Sequence, residues 1–419
     1  MHHAYDQYQF ARHTLANGIQ VYANLTLPIN ATLVAAAFHT GSLDDPEGKS
    51  GLAHFMEHMP FRGTIEFPDK NSLTVPIEDE GGMLNAWTST EKIVFLVKTF
   101  PDDLRLGIRA LKEMTHHALL RAEDLELERG VIVEEWKRHF NAPAAYAIKK
   151  CRERIFSGHP LQRLPIGDLA AIRSFTIEDV RNFYNRMRHE SRCTLIVIGS
   201  GDIRAVLGEL EGVFGNLPGV SASYQPERHM EPHTATNIFV DDQPYPATHM
   251  VMGSRGISGE CVREVTAANL LIEMVGSGFS SPLFQELREK RGLVYNYGFN
   301  HLEHSTSGMF YLSASTSLQK TNDVCSVFLD TLEKVSCDEE RLESVKRRTE
   351  KALAMENLQL TNILLGAVDD IVEGGHAPFS LNEIVARVRD ISLNEIRAVA
   401  EAYLQPAHFT TVIVKSQNE

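Results

Sequence analysis

Short apolar runs with two-residue alternation and longer stretches with apolar residues three and four apart succeed one another along the whole chain. The first pattern predicts strands at Gly18–Ala23, Ala31–Phe38, Ile93–Phe100 and Thr194–Gly199, and the second predicts helices at Asp103–His117 and Ile177–Met187. Strands and helices interleaved in this way predict an α+β fold, with mixed sheets packed against helices, and not a bundle or a sandwich. At 419 residues the chain exceeds what one hydrophobic core supports, so two or more domains are expected.

Laying the chain on itself with Thr176 on Ser392 sharpens this expectation. At that offset Thr176-Ile177-Glu178-Asp179-Val180 falls on Ser392-Leu393-Asn394-Glu395-Ile396, each a helix start with a capping hydroxyl. Thr194–Ile198 falls on Thr410–Val414, and the strand from Thr32 falls on the one from Thr248. The reading is two homologous domains related by internal duplication: residues 1–222, a linker at 223–232 within the Ser- and Pro-containing stretch Gly219–His233, and residues 233–419. His54, Glu57 and His58 fall on Leu270, Glu273 and Met274, so chemistry that needs the histidines is confined to the first copy.

Composition narrows the function classes. A formal net charge of −14 argues against a protein built to grip phosphate backbones, so nucleic acid is not expected as a partner. Cys151, Cys193, Cys261, Cys325 and Cys337 are scattered and form no Cys-x-x-Cys pair, which suggests a reducing compartment with each thiol acting as a small buried hydrophobe. No apolar run is long enough to span a membrane, and Met1–Asp6 shows neither an apolar nor an Arg-rich targeting pattern. The expectation is a cytoplasmic protein with no membrane segment.

The strongest local pattern is His54-Phe55-Met56-Glu57-His58, within a stretch whose Leu52, Phe55, Met56 and Met59 suit a buried helix. Residues four apart share a helix face, so both imidazoles reach one ion with Glu57 beside them, in the His-x-x-Glu-His order of inverted zincins. A catalytic zinc wants three protein ligands and an open fourth position. The predicted helix Asp124–His139 offers Glu128, Val131, Ile132 and Glu135 along one stripe, and acids on a core-facing stripe call for a positive partner. Glu134 reads as solvated.

These residues resemble the pitrilysin, insulin-degrading enzyme and mitochondrial processing peptidase family, whose motif is followed well down the chain by a ligand glutamate. The family's spacing, counted from His58, allows both Glu134 and Glu135, so counting leaves a tie. The family's companion acid, two helical turns before the ligand, matches Glu128 only if Glu135 is the ligand. Gly51-Leu52-Ala53, Phe61-Arg62-Gly63-Thr64 and Gly81-Gly82-x-x-Asn85-Ala86-x-Thr88 are also similar to the family pattern. The last resembles an edge strand to which substrate backbone adds, implying that Asn85, Ala86 and Thr88 bind substrate; on the residues alone an ordinary hairpin fits as well. Leu283–Tyr295 resembles the family's second motif, which implies that Arg291 and Tyr295 reach the substrate or a developing oxyanion; without the resemblance Arg288–Arg291 reads as a solvated basic patch. Pro60 replaces a usual aliphatic residue and Pro76 enters a segment that is usually helical. Proline deep in a helix costs about 3 kcal/mol or more, so the geometry after the motif is expected to differ.

The resemblance implies one Zn2+ per chain held by His54, His58 and Glu135, with Glu57 as general base and Glu128 acting through a ligand. It further implies an endopeptidase for short or unfolded peptides, leader-peptide processing among its uses. The family closes its chamber with four such domains and this chain has two, so it forms half of a clamshell. A homodimer is the simplest reading; a heterodimer with a degenerate homologue, in which this chain is the active half, stays open. The rivals are a non-catalytic core subunit of the same fold and a zinc-sensing module with no open position.

Overall fold

The computed structural model describes residues 9–218, 238–243, 245 and 247–416; the expected linker at 223–232 lies outside them. The strands β1 (Ala11–Thr14), β2 (Gln20–Asn24), β3 (Thr32–Phe38), β4 (Met83–Thr88), β5 (Ile93–Thr99) and β6 (Cys193–Gly199) form a 6-stranded sheet in the order β1-β2-β6-β3-β5-β4. A 5-stranded sheet follows from β7 (Ile238–Gln243), β8 (Thr248–Gly256), β9 (Asn296–His304), β10 (Ser307–Thr316) and β11 (Thr410–Ser416), in the order β7-β11-β8-β10-β9. β2 with β6 and β7 with β11 are parallel, and the other pairs are antiparallel.

The two sheets are copies of each other. At the offset read from the sequence, β3, β4, β5 and β6 fall on β8, β9, β10 and β11. The helices α1 (Leu52–His58), α2 (Lys70–Glu78), α3 (Leu104–His116), α4 (Ala122–Phe140) and α5 (Pro143–Ile155) precede the shared capped helix of the first copy. Of these, α1, α3, α4 and α5 fall on Val262–Gly276, Thr321–Val335, Glu339–Glu356 and Leu360–Val372. Thr176 and Ser392 both open a helix with a capping box, accepting from Asp179 N at 3.2 Å and Glu395 N at 3.4 Å.

The central strands are apolar along their whole length because both faces are covered. In β3, Val34, Ala36 and Phe38 pack into the core that holds α1 and α3, while Leu33, Ala35 and Ala37 pack on the opposite face. That opposite face is covered by Ile363, Leu364, Val368 and Ile371 of the helix Leu360–Val372, which belongs to the second copy. The equivalent α5 returns the exchange, setting Ala147, Cys151 and Ile155 on Val251, Met309, Val412 and Val414 of the second sheet. Burying the four large side chains of Leu360–Val372 contributes on the order of 6–12 kcal/mol, so the two copies hold each other folded.

Pro76 lies inside α2, which runs Lys70–Glu78 from an Asp69 cap, and the proline removes one donor near its C-terminal end. One expectation is corrected. The thiols are not uniformly buried: Cys151 and Cys193 are, Cys325 is half-buried, and Cys261 and Cys337 are exposed. Among the described residues no helix is long and apolar enough to cross a membrane.

Candidate metal centre

α1 is short, and its start is fixed by contacts that no propensity supplies. The buried Asp45 carboxylate accepts from Gly51 N at 2.6 Å and Ala53 N at 2.8 Å, satisfying helix donors that would otherwise be orphaned. Gly51 has φ 96°, and a Cβ there would stand 2.9 Å from Gly167 Cα, so only glycine fits. Leu52, Ala53, Phe55 and Met56 anchor the helix in the core, which turns His54 and His58 outward on one face. The helix ends at His58, and Pro60 sits at the start of the 3-10 turn Met59–Arg62, where its missing N–H costs little.

α4 meets this face with Glu128 and Glu135, two turns apart. His54 Nε2 and His58 Nε2 are 3.3 Å from each other, and Glu135 Oε2 is 3.8 Å and 3.7 Å from them. A tetrahedral ion with arms of about 2.1 Å has edges of roughly 3.4 Å, so the three donors span one face of its shell. Two imidazole nitrogens facing each other with a carboxylate oxygen make a chemically sensible set for zinc. Their side chains are 12, 23 and 32% exposed, which leaves a path for water and substrate. Glu134, the other candidate, is turned out and paired with Lys137 at 2.7 Å, away from the two imidazoles.

Beside these three side chains, Glu128 Oε2 lies 3.2 Å from His58 Nδ1 and its other oxygen pairs with Arg62. Burial opposes charge on Glu128, but the His58 hydrogen bond and Arg62 outweigh it and lower its pKa. Burial also resists protonation of His58, yet the Glu128 hydrogen bond and the charges of Glu57, Glu128 and Glu135 carry it upward. His54 is pushed down to about 3 by burial and by His58, and is therefore neutral. Glu57 is raised by burial, opposed by a 2.6 Å hydrogen bond from Thr88 Oγ1 to its Oε2.

A cavity of about 550 Å³ opens over these groups. His54, Glu57, His58, Glu128 and Glu135 line it, and so do Asn85, Ala86 and Thr88 of the sheet-edge strand β4. Arg291 and Tyr295 do not line it; they stand on the second copy, the Arg291 side chain 54% exposed and Tyr295 78% exposed. Val131, read as core-facing, instead lines the cavity with 48% exposure, because the stripe turns from core to cleft between Ile132 and Glu135. Sequence reasoning missed the roles of Asp45 and Arg62; the position of Arg62, one helical turn after His58, was the available sign. Glu91, His304 and Glu373 also converge within metal-ligand range, but Lys92 lies 2.9 Å from Glu373 and Ser305 donates twice to Glu91, so that charge is spent on structure.

Residues 26–167 match the model of the insulinase family of peptidases, M16, and residues 174–349 match that of the M16 peptidase inactive domain. The chain belongs to the M16 peptidase family. The inactive-domain match begins within the first copy and takes in Leu270 and Met274, which stand where the first copy has its histidines. An uncharacterized zinc protease of Streptomyces coelicolor is 24% identical, the match covering 94% of this chain and 87% of that protein. A protease from Helicobacter pylori shares the fold with a TM-score of 0.90 at 20% identity, covering 98% of this chain and 100% of that one. A structure of an M16 peptidase inactive domain from Pseudomonas fluorescens gives 0.87 at 16% identity, covering 98% of each.

Proposed function

We propose that this M16 family chain is a zinc-dependent endopeptidase acting on short or unfolded peptides. The observation that carries the reading is the convergence of His54, His58 and Glu135 with the Glu57 carboxylate in a cavity walled by the edge strand β4. Among the described residues β4 pairs with β5 alone, so an extended peptide can add beside Asn85 and Ala86 through backbone hydrogen bonds.

Zinc, when held by His54, His58 and Glu135, supplies Lewis acidity and brings the pKa of water near roughly 7. Glu57 holds Oε2 on the Thr88 hydroxyl and keeps Oε1 for the proton, which it takes from the attacking water and gives to the leaving amine. Burial strengthens its hold on that proton between the two transfers. Glu128 fixes the His58 ring through Nδ1.

We assign Arg291 and Tyr295 to the oxyanion or substrate of a partner chain's cavity, because both are exposed and outside their own chain's cleft. The functional unit is then a homodimer enclosing a chamber; a heterodimer with a degenerate homologue gives the same arrangement, but this chain already carries both halves. Leader-peptide maturation and degradation of small peptides both suit such a chamber. The free cysteines suit a reducing compartment, and we place the chain in the cytoplasm.

Zinc analysis together with cleavage of unstructured peptides tests the reading. Glu57→Gln is expected to keep one zinc per chain and lose turnover by about 10²–10⁴-fold, and His58→Ala to lose both. A wild-type chain that binds zinc and cleaves nothing would instead be a non-catalytic subunit of this family.

A further inference from the structure

Thr88 ends β4, and the turn that follows, Ser89–Lys92, is gripped from several sides. Thr88 Oγ1 holds Glu57 Oε2 at 2.6 Å. Two residues on, Arg152 Nη2 of the exchanged helix α5 donates to Thr90 Oγ1 at 3.1 Å. Glu91 accepts from Ser305 N at 2.7 Å and Ser305 Oγ at 2.6 Å, and Lys92 Nζ reaches Glu373 Oε1 at 2.9 Å and also pairs with Asp369. Ser305 belongs to the β9–β10 turn and falls on Ser89 when the two copies are overlaid, so the equivalent hairpin turns meet each other.

Backbone holds the same turn from behind. Ser42 N and Leu43 N donate to Ser89 O and Thr90 O at 3.1 and 2.8 Å, and a Cβ on Gly41 would stand 2.6 Å from Lys92 N. Glu91, Lys92 and Arg152 are 3, 4 and 3% exposed, so moving the turn outward would strand buried charges. A turn held this tightly fixes the last residue of the strand before it.

We propose that Thr88 is a positioning residue for Glu57, and that Ser305 and Glu373 of the second copy set its place through the Ser89–Lys92 turn. The copy without metal ligands thereby governs the rate of hydrolysis, and Thr88 serves the base as well as the substrate edge. The inference rests on the peptidase reading.

The test uses the zinc-loaded full chain and one unstructured peptide, with kcat, KM, zinc content and melting temperature measured for each variant. Thr88→Val should lower kcat about ten- to a hundred-fold, the size of one lost hydrogen bond to a charged group, with KM within about two-fold and zinc retained. Thr88→Ser should restore the rate. Ser305→Ala and Glu373→Gln should each lower kcat by a few-fold to about ten-fold, and should add nothing further in a Thr88→Val background. Thr88→Val at wild-type kcat, a change confined to KM, or full additivity with Ser305→Ala would overturn the proposal. A wild-type chain that cleaves no peptide removes the peptidase reading and this inference together; active wild type with unaffected variants removes only the inference.

Discussion

Arg348 Nη2 lies 2.7 Å from Glu273 Oε2, and Glu273 is the second copy's counterpart of Glu57. The duplicated glutamate survives there, but its surroundings have changed. Arg348 falls on Ile132, and the buried Leu270 and Met274 fall on His54 and His58. An arginine now neutralises the acid that in the first copy stands beside two imidazoles. Of the two equivalent places in the fold, only the first brings two imidazoles and a carboxylate together.

The choice between neighbouring glutamates is directly testable. Glu135→Ala should abolish stoichiometric zinc binding in a metal titration, because its Oε2 closes the donor triangle with both histidines. Glu134→Ala, which removes only a surface pair with Lys137, should leave zinc content and cleavage within about two-fold of wild type. The reverse pattern would reassign the ligand.

Glu128 is held against the His58 ring and Arg62. Glu128→Gln should weaken zinc affinity about 10- to 100-fold in competition with a chromophoric chelator, by loosening the ring orientation set at Nδ1. Unchanged affinity would make Glu128 merely the partner of Arg62.

Stability should depend on Asp45, whose carboxyl is raised from its ordinary 3.8 to about 7, chiefly by burial, against the Gly51 and Ala53 amides and Arg163. Between those two values the folded chain binds more protons at this site than the unfolded one. Its contribution is therefore complete below about pH 4 and declines as pH rises through about 7. Asp45→Asn should flatten the fall in melting temperature between about pH 4 and 7; an unaltered slope would show that Asp45 does not titrate there.

Mixing two inactive variants tests the dimeric chamber. Glu57→Gln chains lack the base and Arg291→Ala chains lack the distal cation, so each homodimer should be slow. Refolded mixtures should recover a part of wild-type turnover, since one of the two cavities then has both groups. Activity equal to the sum of the separate variants would place Arg291 in its own chain's site and overturn the shared chamber.

Much of this molecule is written locally. The period-two and period-3.6 patterns located β3, β5, β6 and α3 to within about two residues of their ends, because each must bury an apolar face whatever surrounds it. The His54–His58 spacing determined that two imidazoles share a face, and the internal repeat determined that there are two copies and that one lacks the histidines. Counting could not separate Glu135 from Glu134, since helix neighbours point about 100° apart and only the packing of α4 on α1 decides which of them faces His54 and His58. Nor could any local pattern reveal that α5 and Leu360–Val372 trade sheets, or that Thr88 reaches Glu57 while the turn beside it is held by Ser305 and Glu373. Those relations join residues far apart along the chain, and they exist only once the two cores have closed on each other.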